Sequence, residues 1–415
     1  MNINGSHQFR LTDIFLEAIQ SVDGGRCVEQ YLRKNPMSGD ICLVSIGKAA
    51  CSMASGARIV LGEQIKQSLV VTKHGHRPPE LPGKHVLEAG HPLPDQQSLE
   101  AGHQLLSLLH AVPENAQILF LISGGTSALV EVLPEFVTIE DLTKLNSWLL
   151  QSGLPITVMN AIRKQVSCIK GGRLATHIDG RITTVLLMSD VQGDNPAVIG
   201  SGLLFPSDDF SKLINEEKLP GFIRRMQNQV PPAPKKDDKC FNSIQWKIVA
   251  NLQQAIQAAD MAANSRGYDT MVYAEYLQGN AIECGQHIAQ AMQAHPGVLH
   301  IWGGEPTVKL PPNPGKGGRC QSLALSAAIQ LKDQKHWCLL AAGTDGGDGD
   351  TNAAGVCIDA STLEKAQQQL GSDIDPRSYL HNADAGTLFQ ASGDLIKTGP
   401  TGTNVTDLVM AYMEQ

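Results

Sequence analysis

Two glycines and three hydroxyl residues follow the apolar run QILFLI (117–122) and could bind an anion. The segment comprises Ser123, Gly124, Gly125, Thr126 and Ser127. Where such a segment opens a helix, its free N–H groups and the positive end of the helix dipole attract negative charge, by roughly 0.3–1 kcal/mol from the dipole. A tight turn with a Ser or Thr cap explains the same residues. The segment therefore predicts a phosphate site, with the capped turn as the alternative.

Basic residues in two further loops could contact a phosphoryl group. Lys48 follows the apolar run ICLVSI (41–46), and Lys316 and Arg319 lie in PPNPGKGGR (311–319), before an apolar helical segment. An arginine that stabilises the equatorial oxygens of a moving phosphoryl group can contribute about 10³–10⁵ in rate, and a lysine can act as a point charge. Solvated surface loops are the alternative.

Three acidic residues lie among glycines after the apolar run HWCLLAA (336–342). They are Asp345, Asp348 and Asp350. Crowded carboxylates repel unless a cation or basic groups lie among them, so Mg²⁺ or substrate hydroxyls are the expected partners. The spacing does not fit an EF-hand, because Val356 stands where a bidentate Glu is required. A solvated Asp/Gly turn is the alternative.

Polar residues also follow other apolar runs. Asp190 ends TTVLLMSD (183–190), where it could act as a base or metal ligand, or cap the next turn. Thr403 and Asn404 end TGPTGTN (398–404), which is more polar than a connector requires and which we expect to precede a short helix. His91 and the pair His74 and His76 lie in loops after strands, and because no third ligand accompanies the pair, we assign these histidines to loop packing or substrate contact and not to a metal.

Two familiar phosphate-binding fingerprints are absent from the sequence. There is no GxGxxG, as a nicotinamide enzyme would show, and none of the three Gly-Lys pairs is followed by Ser or Thr, as a P-loop requires. If the protein is a kinase, it is not of the P-loop type.

The elements that must position these residues are predicted by short continuous apolar runs. Such runs are typical of strands buried on both faces of a parallel sheet, and they alternate with helical periodicity, which predicts an α/β fold. The proline-rich, charged segment 229–239 interrupts the pattern and is predicted to link two lobes, with a second series of strands beginning at KIVA (247–250). Thr138 with Asp141 forms a capping-box pattern, and Thr12 is a candidate cap for a helix that buries Ile14 and Phe15.

Composition and charge narrow the class of protein. The chain has 415 residues, 42% of them hydrophobic, and a net charge of −8 without a Lys/Arg block, which predicts a globular protein that binds neither nucleic acid nor a membrane. The nine cysteines are scattered without zinc spacing, and we found neither a signal peptide nor an apolar run long enough to span a membrane. We predict a cytoplasmic location.

Many ordered motifs along the chain resemble the glycerate 2-kinase family, whose C-terminal portion is the MOFRL domain. The motifs include LVSIGKAACSMA (43–54), LFLISGGTSALVEVL (119–133), NAIRKQVSCIKGGRLA (160–175), LLMSDVQGDNPAVIGSG (186–202), GKGGRCQSLAL (315–325), LLAAGTDGGDGDTNAAG (339–355) and TGPTGTNVTDL (398–408).

The resemblance implies both a fold and a reaction. The fold is a Rossmann-like N-terminal lobe with a smaller α/β MOFRL lobe, and the active site is expected in the cleft between them. We place the first lobe at 1–235, with 396–415 as a candidate last piece, and the MOFRL lobe at 240–395. The reaction is transfer of the γ-phosphoryl group of ATP to the 2-hydroxyl of D-glycerate, with Mg²⁺. Some members carry the name hydroxypyruvate reductase, and an NAD(P)H-dependent reductase is our alternative.

Position by position, the family's catalytic lysine matches Lys48 and its catalytic arginine matches Arg319. The unbroken SGGTSAL match places phosphate contacts on Ser123 to Ser127, and we expect Lys316, Thr403 and Asn404 to help close the site around the nucleotide. We expect Asp190 to position or deprotonate the glycerate hydroxyl, and the three crowded aspartates to bind Mg²⁺ or substrate. Because substrate and protein are both anionic, a local cationic cluster must overcome the overall repulsion, and the candidates for it are Lys48, Arg163, Lys164, Lys316 and Arg319. The sequence does not determine the oligomeric state, and a homodimer is one candidate.

Overall fold

The computed structural model describes residues 3–78, 86–152, 154, 156–207 and 219–415. The chain forms two compact units, which we call unit A (Gly24–Ala250) and unit B (Met1–Asp23 with Asn251–Gln415). Each unit is built around one six-stranded sheet. The α/β fold class that the apolar runs predict is therefore confirmed.

Sheet A has the strand order of dinucleotide-binding folds. Its strands are β1 (Ile41–Ile46), β2 (Ile65–Lys73), β3 (Val86–Ala89), β4 (Gln117–Ile122), β5 (Thr183–Met188) and β6 (Ile244–Ala250). Their spatial order is β3-β2-β1-β4-β5-β6, and neighbouring strands are parallel. The order reverses between β1 and β4, so a crevice opens beyond the carboxyl ends of these two strands, where ligands of such sheets bind.

Helices cover sheet A and form a small satellite core. The helices of unit A include α2 (Gly24–Lys34), α3 (Ala50–Leu61), α4 (Gln96–Ala111), α5 (Thr126–Leu129), α6 (Ile139–Gln151), α7 (Ile156–Gln165) and α8 (Gly221–Gln227). Buried aliphatic side chains of β1, β4 and β5 pack against α4 in the main core. A second cluster joins α6, α7 and α8.

The segment 229–239 is not the connection between the two units. It precedes β6, which pairs with β5 in sheet A, and Arg173 Nε donates a 2.7 Å hydrogen bond to the carbonyl of Pro231. The run KIVA therefore belongs to the first sheet and not to the second series of strands. The linker prediction was wrong because the segment has the prolines and charges of a linker, whereas the hydrogen bond from Arg173 that holds it against unit A is not visible in the sequence.

Sheet B is mixed and not parallel. Its strands are β7 (Thr270–Val272), β8 (Leu299–Gly304), β9 (Trp337–Gly343), β10 (Gly355–Asp359), β11 (Leu395–Ile396) and β12 (Asp407–Met413). Their order is β11-β10-β9-β12-β8-β7, with only β7 and β8 parallel. The sequence led us to expect a short helix after residue 404, but β12 pairs with both β8 and β9. Apolar runs buried on both faces look alike whichever way the strand runs.

Helices pack on both faces of sheet B. They include α1 (Ile3–Ser21), α9 (Leu252–Ser265), α10 (Ala281–Ala294), α11 (Arg319–Gln330), α12 (Thr362–Leu370), α13 (Pro376–His381) and α14 (Ala385–Ser392). One face is covered by α1 and α9, and the other by α10, α11 and α14. These contacts, together with the central position of β12, explain why the compact units differ from the lobe ranges 1–235 and 240–395.

The predicted capping signals have different outcomes. Thr138 and Asp141 form a complete capping box at the start of α6, as predicted. Thr12 does not start a helix, because α1 begins at Ile3 and the Thr12 hydroxyl donates to the carbonyl of Gln8 one turn earlier. The predicted apolar face is nevertheless buried, with Ile14 and Phe15 inaccessible to solvent. Among the described helices, none has the length and apolar character needed to cross a membrane.

Candidate active site

The loops after β1 and β4 are hydrogen-bonded to each other at the crevice of sheet A. The N–H of Lys48 donates to the carbonyl of Gly124 at 2.9 Å, and the N–H of Ser123 donates to the carbonyl of Ile46 at 3.0 Å. Gly47 has φ +131°, and a Cβ there would lie 2.1 Å from Ser123 Oγ. The approach therefore requires glycine, and it fixes Lys48 next to the predicted phosphate loop.

The hydroxyls of that loop have two different roles. Ser123 and Thr126 are fully buried. Ser123 Oγ accepts from the N–H of Ala49 at 3.1 Å, and Thr126 Oγ1 donates to the carbonyl of Ile46 at 2.9 Å. Ser127 instead lines a cavity, where its Oγ lies 2.7 Å from that of Ser201. Because α5 is a single turn of four residues, it supplies little of the dipole attraction on which the sequence argument drew.

A cavity of about 350 Å³ lies in unit A beyond the ends of β4 and β5. Polar groups on its wall include His91, Ser127, Asn160, Arg163, Asp190 and Ser201. Gly125 is also on the wall, and a Cβ built on it would lie 3.1 Å from His91 Cδ2 and 3.3 Å from Lys48 Cγ. The structure thus brings the predicted residues Lys48, Gly125, Ser127 and Asp190 together within one unit.

A buried ion pair forms part of the same cavity wall. Lys170 Nζ contacts Glu131 Oε2, and both side chains are almost inaccessible to solvent. Glu131 Oε1 also accepts hydrogen bonds from Ser167 Oγ at 2.5 Å and from the N–H of Val132 at 3.0 Å. Because each charge compensates the other, the pair adds no net charge to the cavity.

Arg163 contributes a second cation to the cavity wall, and unlike Lys170 it hydrogen-bonds, among the described residues, to side-chain amides and not to a carboxylate. Its Nε donates to Asn146 Oδ1 at 3.1 Å and its Nη1 donates to Asn160 Oδ1 at 3.0 Å. Both partners are neutral amides, and burial lowers the pKa of the guanidinium. The neighbouring Lys164 has a structural role instead, because its Nζ donates to the carbonyl of Ala197 and to Ser207 Oγ.

In unit B, Arg319 is the first residue of α11 and contacts two carboxylates. Its Nε and Nη2 donate to Asp407 at 2.6 and 2.8 Å, and its Nη1 donates to Glu305 at 2.7 Å. Burial acts to lower the pKa of Arg319, but the two carboxylates outweigh it and raise the pKa. The arginine is permanently charged and fixed in orientation. Asp407 could not be recognised as its partner from the sequence, because 87 intervening residues separate the two and they meet where α11 packs on sheet B.

The three crowded aspartates are in different environments. Asp348 is buried, and its two oxygens accept from the N–H groups of Cys320 and Gln321 at the start of α11. Asp345 accepts from the N–H of Gly347 at 3.0 Å, and Asp350 is exposed and accepts from that of Gly317 at 3.2 Å.

These environments bear on the predicted Mg²⁺ site. Across the described residues, no three His, Cys, Asp or Glu side chains are placed to hold a metal ion. Asp348 is 2% exposed and both of its oxygens accept backbone hydrogen bonds, so its part in a Mg²⁺ site stays a prediction. An ion carried on nucleotide phosphates needs only one or two protein carboxylates, which Asp345 or Asp350 could supply.

The remaining predicted residues also lie in unit B. Lys316 is exposed beside Asp350, and both line a cavity of about 230 Å³. Thr403 and Asn404 are buried, and Thr403 Oγ1 donates to the carbonyl of Val22 at 2.6 Å. Lys48 and Arg319 belong to different units, so their predicted action on one phosphoryl group stays a prediction.

Comparison with known proteins finds two family matches along the chain. Residues 10–220 match a family described as a domain of unknown function, DUF4147, and residues 298–407 match the MOFRL family. A D-glycerate 2-kinase of Thermotoga maritima is 37% identical over 97% of this chain and 97% of its own length. A crystal structure of glycerate kinase from Thermotoga maritima superposes with a TM-score of 0.84 at 35% identity, covering 99% of this chain and 100% of that one.

The fold and sequence define a two-unit α/β protein with a DUF4147 domain followed by a MOFRL domain. The chain belongs to the glycerate 2-kinase family, and the resemblance found in its motifs is confirmed. A relative in Agrobacterium vitis, 35% identical over 89% of this chain and 98% of its own, is named a putative hydroxypyruvate reductase.

Proposed function

We propose that the protein is an ATP-dependent glycerate 2-kinase that converts D-glycerate to 2-phosphoglycerate. The cavity in unit A is the observation that carries the proposal. It is of a size for a small ligand and lies beyond the carboxyl ends of parallel strands, where sheets of this order bind ligands. Its wall combines a carboxylate, hydroxyls and a guanidinium, which are the groups that a hydroxy acid requires.

In the proposed reaction, the 2-hydroxyl oxygen of glycerate attacks the γ-phosphorus of ATP. The bond between this phosphorus and the β,γ-bridging oxygen breaks, and ADP leaves with the electron pair. The hydroxyl proton passes to Asp190, the carboxylate on the cavity wall after β5.

Cations must stabilise the charge on the transferring phosphoryl group. We assign this role to Lys48, which is fixed beside Gly125, and to Arg319, whose two carboxylate partners hold its guanidinium in one orientation. Ser127 and Gly125 contribute the phosphate contacts of the predicted loop, while Ser123 and Thr126 hold that loop in place. Bound Mg²⁺ would neutralise charge on the nucleotide phosphates, with Asp345 or Asp350 as protein ligand.

The decisive experiment incubates pure protein with D-glycerate, ATP and Mg²⁺. We expect stoichiometric ADP and phosphoglycerate, with ³¹P NMR identifying the 2-phosphate. A 3-phosphate product would change the assigned hydroxyl, and the absence of any phosphoglycerate would overturn the proposal. Omission of Mg²⁺ and replacement of ATP by GTP test the two co-reactants separately.

A relative is named a putative hydroxypyruvate reductase, so a second assay tests the protein for reductase activity. Sheet A has the strand order of dinucleotide folds, but the turn between β1 and α3 reads Gly47-Lys48-Ala49-Ala50 and lacks the three glycines that admit a pyrophosphate. We therefore expect hydroxypyruvate with NADH or NADPH to give no oxidation above the protein-free rate. Rapid oxidation would favour the reductase.

We also propose that the protein works in a reducing compartment such as the cytoplasm. All nine cysteines are free thiols, and seven of them are buried, while Cys168 and Cys240 are partly exposed.

A further inference from the structure

We infer that Arg163 is the subsite for the carboxylate of a small hydroxy acid in the unit A cavity. The inference deepens the proposed function, on which it rests, by assigning the group that selects acids over neutral polyols and aldehydes.

The first observation is the set of partners around the guanidinium. Nε and Nη1 each donate one hydrogen bond to an asparagine side chain, Asn146 from α6 and Asn160 from α7. A guanidinium has five N–H donors, so three remain, two of them on Nη2. No described residue accepts a hydrogen bond from Nη2 or forms an ion pair with Arg163. The terminal nitrogens are therefore the part of the side chain that can take a carboxylate in the paired geometry typical of arginine.

The second observation is the charge balance of the cavity wall. Lys170 is already neutralised by Glu131, whereas the partners of Arg163 among the described residues are two amide oxygens. A partly buried arginine without a counter-ion is costly, and a bound anion would relieve that cost. Because Asn146 and Asn160 come from two packed helices, they hold the guanidinium plane without adding opposing charge.

The third observation is the position of Asp190 on the same wall. A hydroxy acid carries its carboxylate and its 2-hydroxyl on adjacent carbons. When the carboxylate binds Arg163, the 2-hydroxyl can be directed towards Asp190, the proton acceptor. A hydroxy acid bound to a variant that lacks Arg163 would lose this orientation. The cation is thus a substrate-binding residue that also determines specificity.

The test compares D-glycerate with D-glyceramide, in which a neutral amide replaces the carboxylate. We expect the wild-type protein to prefer D-glycerate strongly, and Arg163→Gln to reduce the ratio of the two kcat/KM values on the order of 100-fold. The value for D-glyceramide itself should change by less than about threefold. Because the ratio is taken within one variant, a partly unfolded preparation does not affect it.

Two further variants complete the design. Arg163→Lys keeps the charge but not the paired donors, so it should give an intermediate ratio. Arg225→Gln, on the exposed surface of α8, is the matched control and should leave the ratio unchanged. If Arg163→Gln keeps the wild-type ratio, because both kcat/KM values are unchanged or fall by the same factor, the assignment is overturned.

Direct binding distinguishes this inference from the proposed function. Isothermal titration with D-glycerate alone should show binding by the wild type and a loss of affinity of at least about 30-fold in Arg163→Gln. If the wild type binds D-glycerate through Arg163 but forms no phosphoglycerate, the reaction is wrong and the subsite stands. If it phosphorylates D-glycerate while Arg163→Gln binds equally well, the reaction stands and the subsite is wrong.

Discussion

Arg163 in unit A and Arg319 in unit B have contrasting partners. Arg319 is fixed by Asp407 and Glu305, so its orientation is set before any ligand arrives. Among the residues that the structure describes, Arg163 hydrogen-bonds to two neutral amides, and it keeps donors for a ligand. Removing Arg319 would leave Asp407 buried without its cation, at a cost of roughly 3–5 kcal/mol, so lost activity would be mixed with lost stability. Lys48 is a cleaner test of the phosphoryl contacts.

We expect Lys48→Ala to reduce kcat by about 10²–10³, because one positioned donor to the transferring group is removed. The melting temperature should change by less than about 2 °C, since the Lys48 hydrogen bond that joins the loops comes from its backbone N–H. Steady-state kinetics with thermal unfolding measure both quantities. Lys66→Ala, an exposed lysine on β2, is the control, and a kcat for Lys48→Ala within threefold of the wild type would refute the assigned role.

Asp348 gives the molecule a pH-dependent stability. Burial raises the pKa of Asp348 to about 7, although the N–H groups of Gln321 and Cys320 act to lower it. The folded protein therefore holds a proton that the unfolded chain has released between about pH 4 and pH 7, so stability falls as pH rises through this window. We expect the melting temperature of Asp348→Asn to vary less between pH 5 and pH 7.5 than that of the wild type. If the melting temperatures of the two proteins change equally with pH, the Asp348 carboxyl group does not titrate between pH 5 and pH 7.5.

At the scale of elements, the candidate site depends on the contact between the loops that follow β1 and β4. Gly47 allows this contact, since a side chain there would overlap Ser123. Lys48 and the predicted phosphate loop are thus held by the same backbone hydrogen bonds, and a change in one loop must displace the other.

Gly47→Ala should therefore reduce both stability and activity. The added Cβ would lie 2.1 Å from Ser123 Oγ, and Gly47 also has a positive φ. The control is Gly39→Ala, at φ +80° with no atom within 4 Å of the added Cβ. Both variants carry backbone strain of about 1–2 kcal/mol, but only Gly47→Ala carries the overlap. We expect kcat to fall at least tenfold in Gly47→Ala alone; equal kinetics in the two variants would show that the contact is dispensable.

The apolar runs and capping signals in the sequence predicted where several strands and helices lie, but not which of them pair or pack together. The bounds of β1, β4 and β5 match the apolar runs, and the Thr138 capping box is present because its signal lies within four residues. The mixed direction of sheet B and the role of β12 as a strand depend on pairing between distant segments. Arg163 was a candidate cation in the sequence, but the same limit hid its partner Asn146, because their contact requires α6 to pack on α7.

At the scale of the whole molecule, unit B is assembled from both sides of unit A in the sequence. Its first helix, α1, covers one face of sheet B through Phe15, which packs in the same cluster as Leu340 and Met410. The stability of sheet B thus depends on a helix more than two hundred residues away in the chain, whereas unit A is continuous.

We expect Phe15→Ala to destabilise unit B by about 3–5 kcal/mol, the usual cost of removing a buried phenylalanine. Hydrogen exchange followed by mass spectrometry should show faster exchange in β8 and β9 than in the wild type, with β1 and β4 unchanged. Phe9→Ala, on the same helix and 68% exposed, is the matched control. Equal acceleration of exchange in both sheets would contradict this division of the chain.

The central position of β12 has a consequence for synthesis on the ribosome. Sheet A can form as soon as residue 250 has emerged, because every strand in it has by then been made. Sheet B must wait, because β12 fills the gap between β8 and β9 and is the last of its strands to be translated. Until then the apolar edges of β8 and β9 lack their partner, and the nascent chain is exposed to mispairing during that interval.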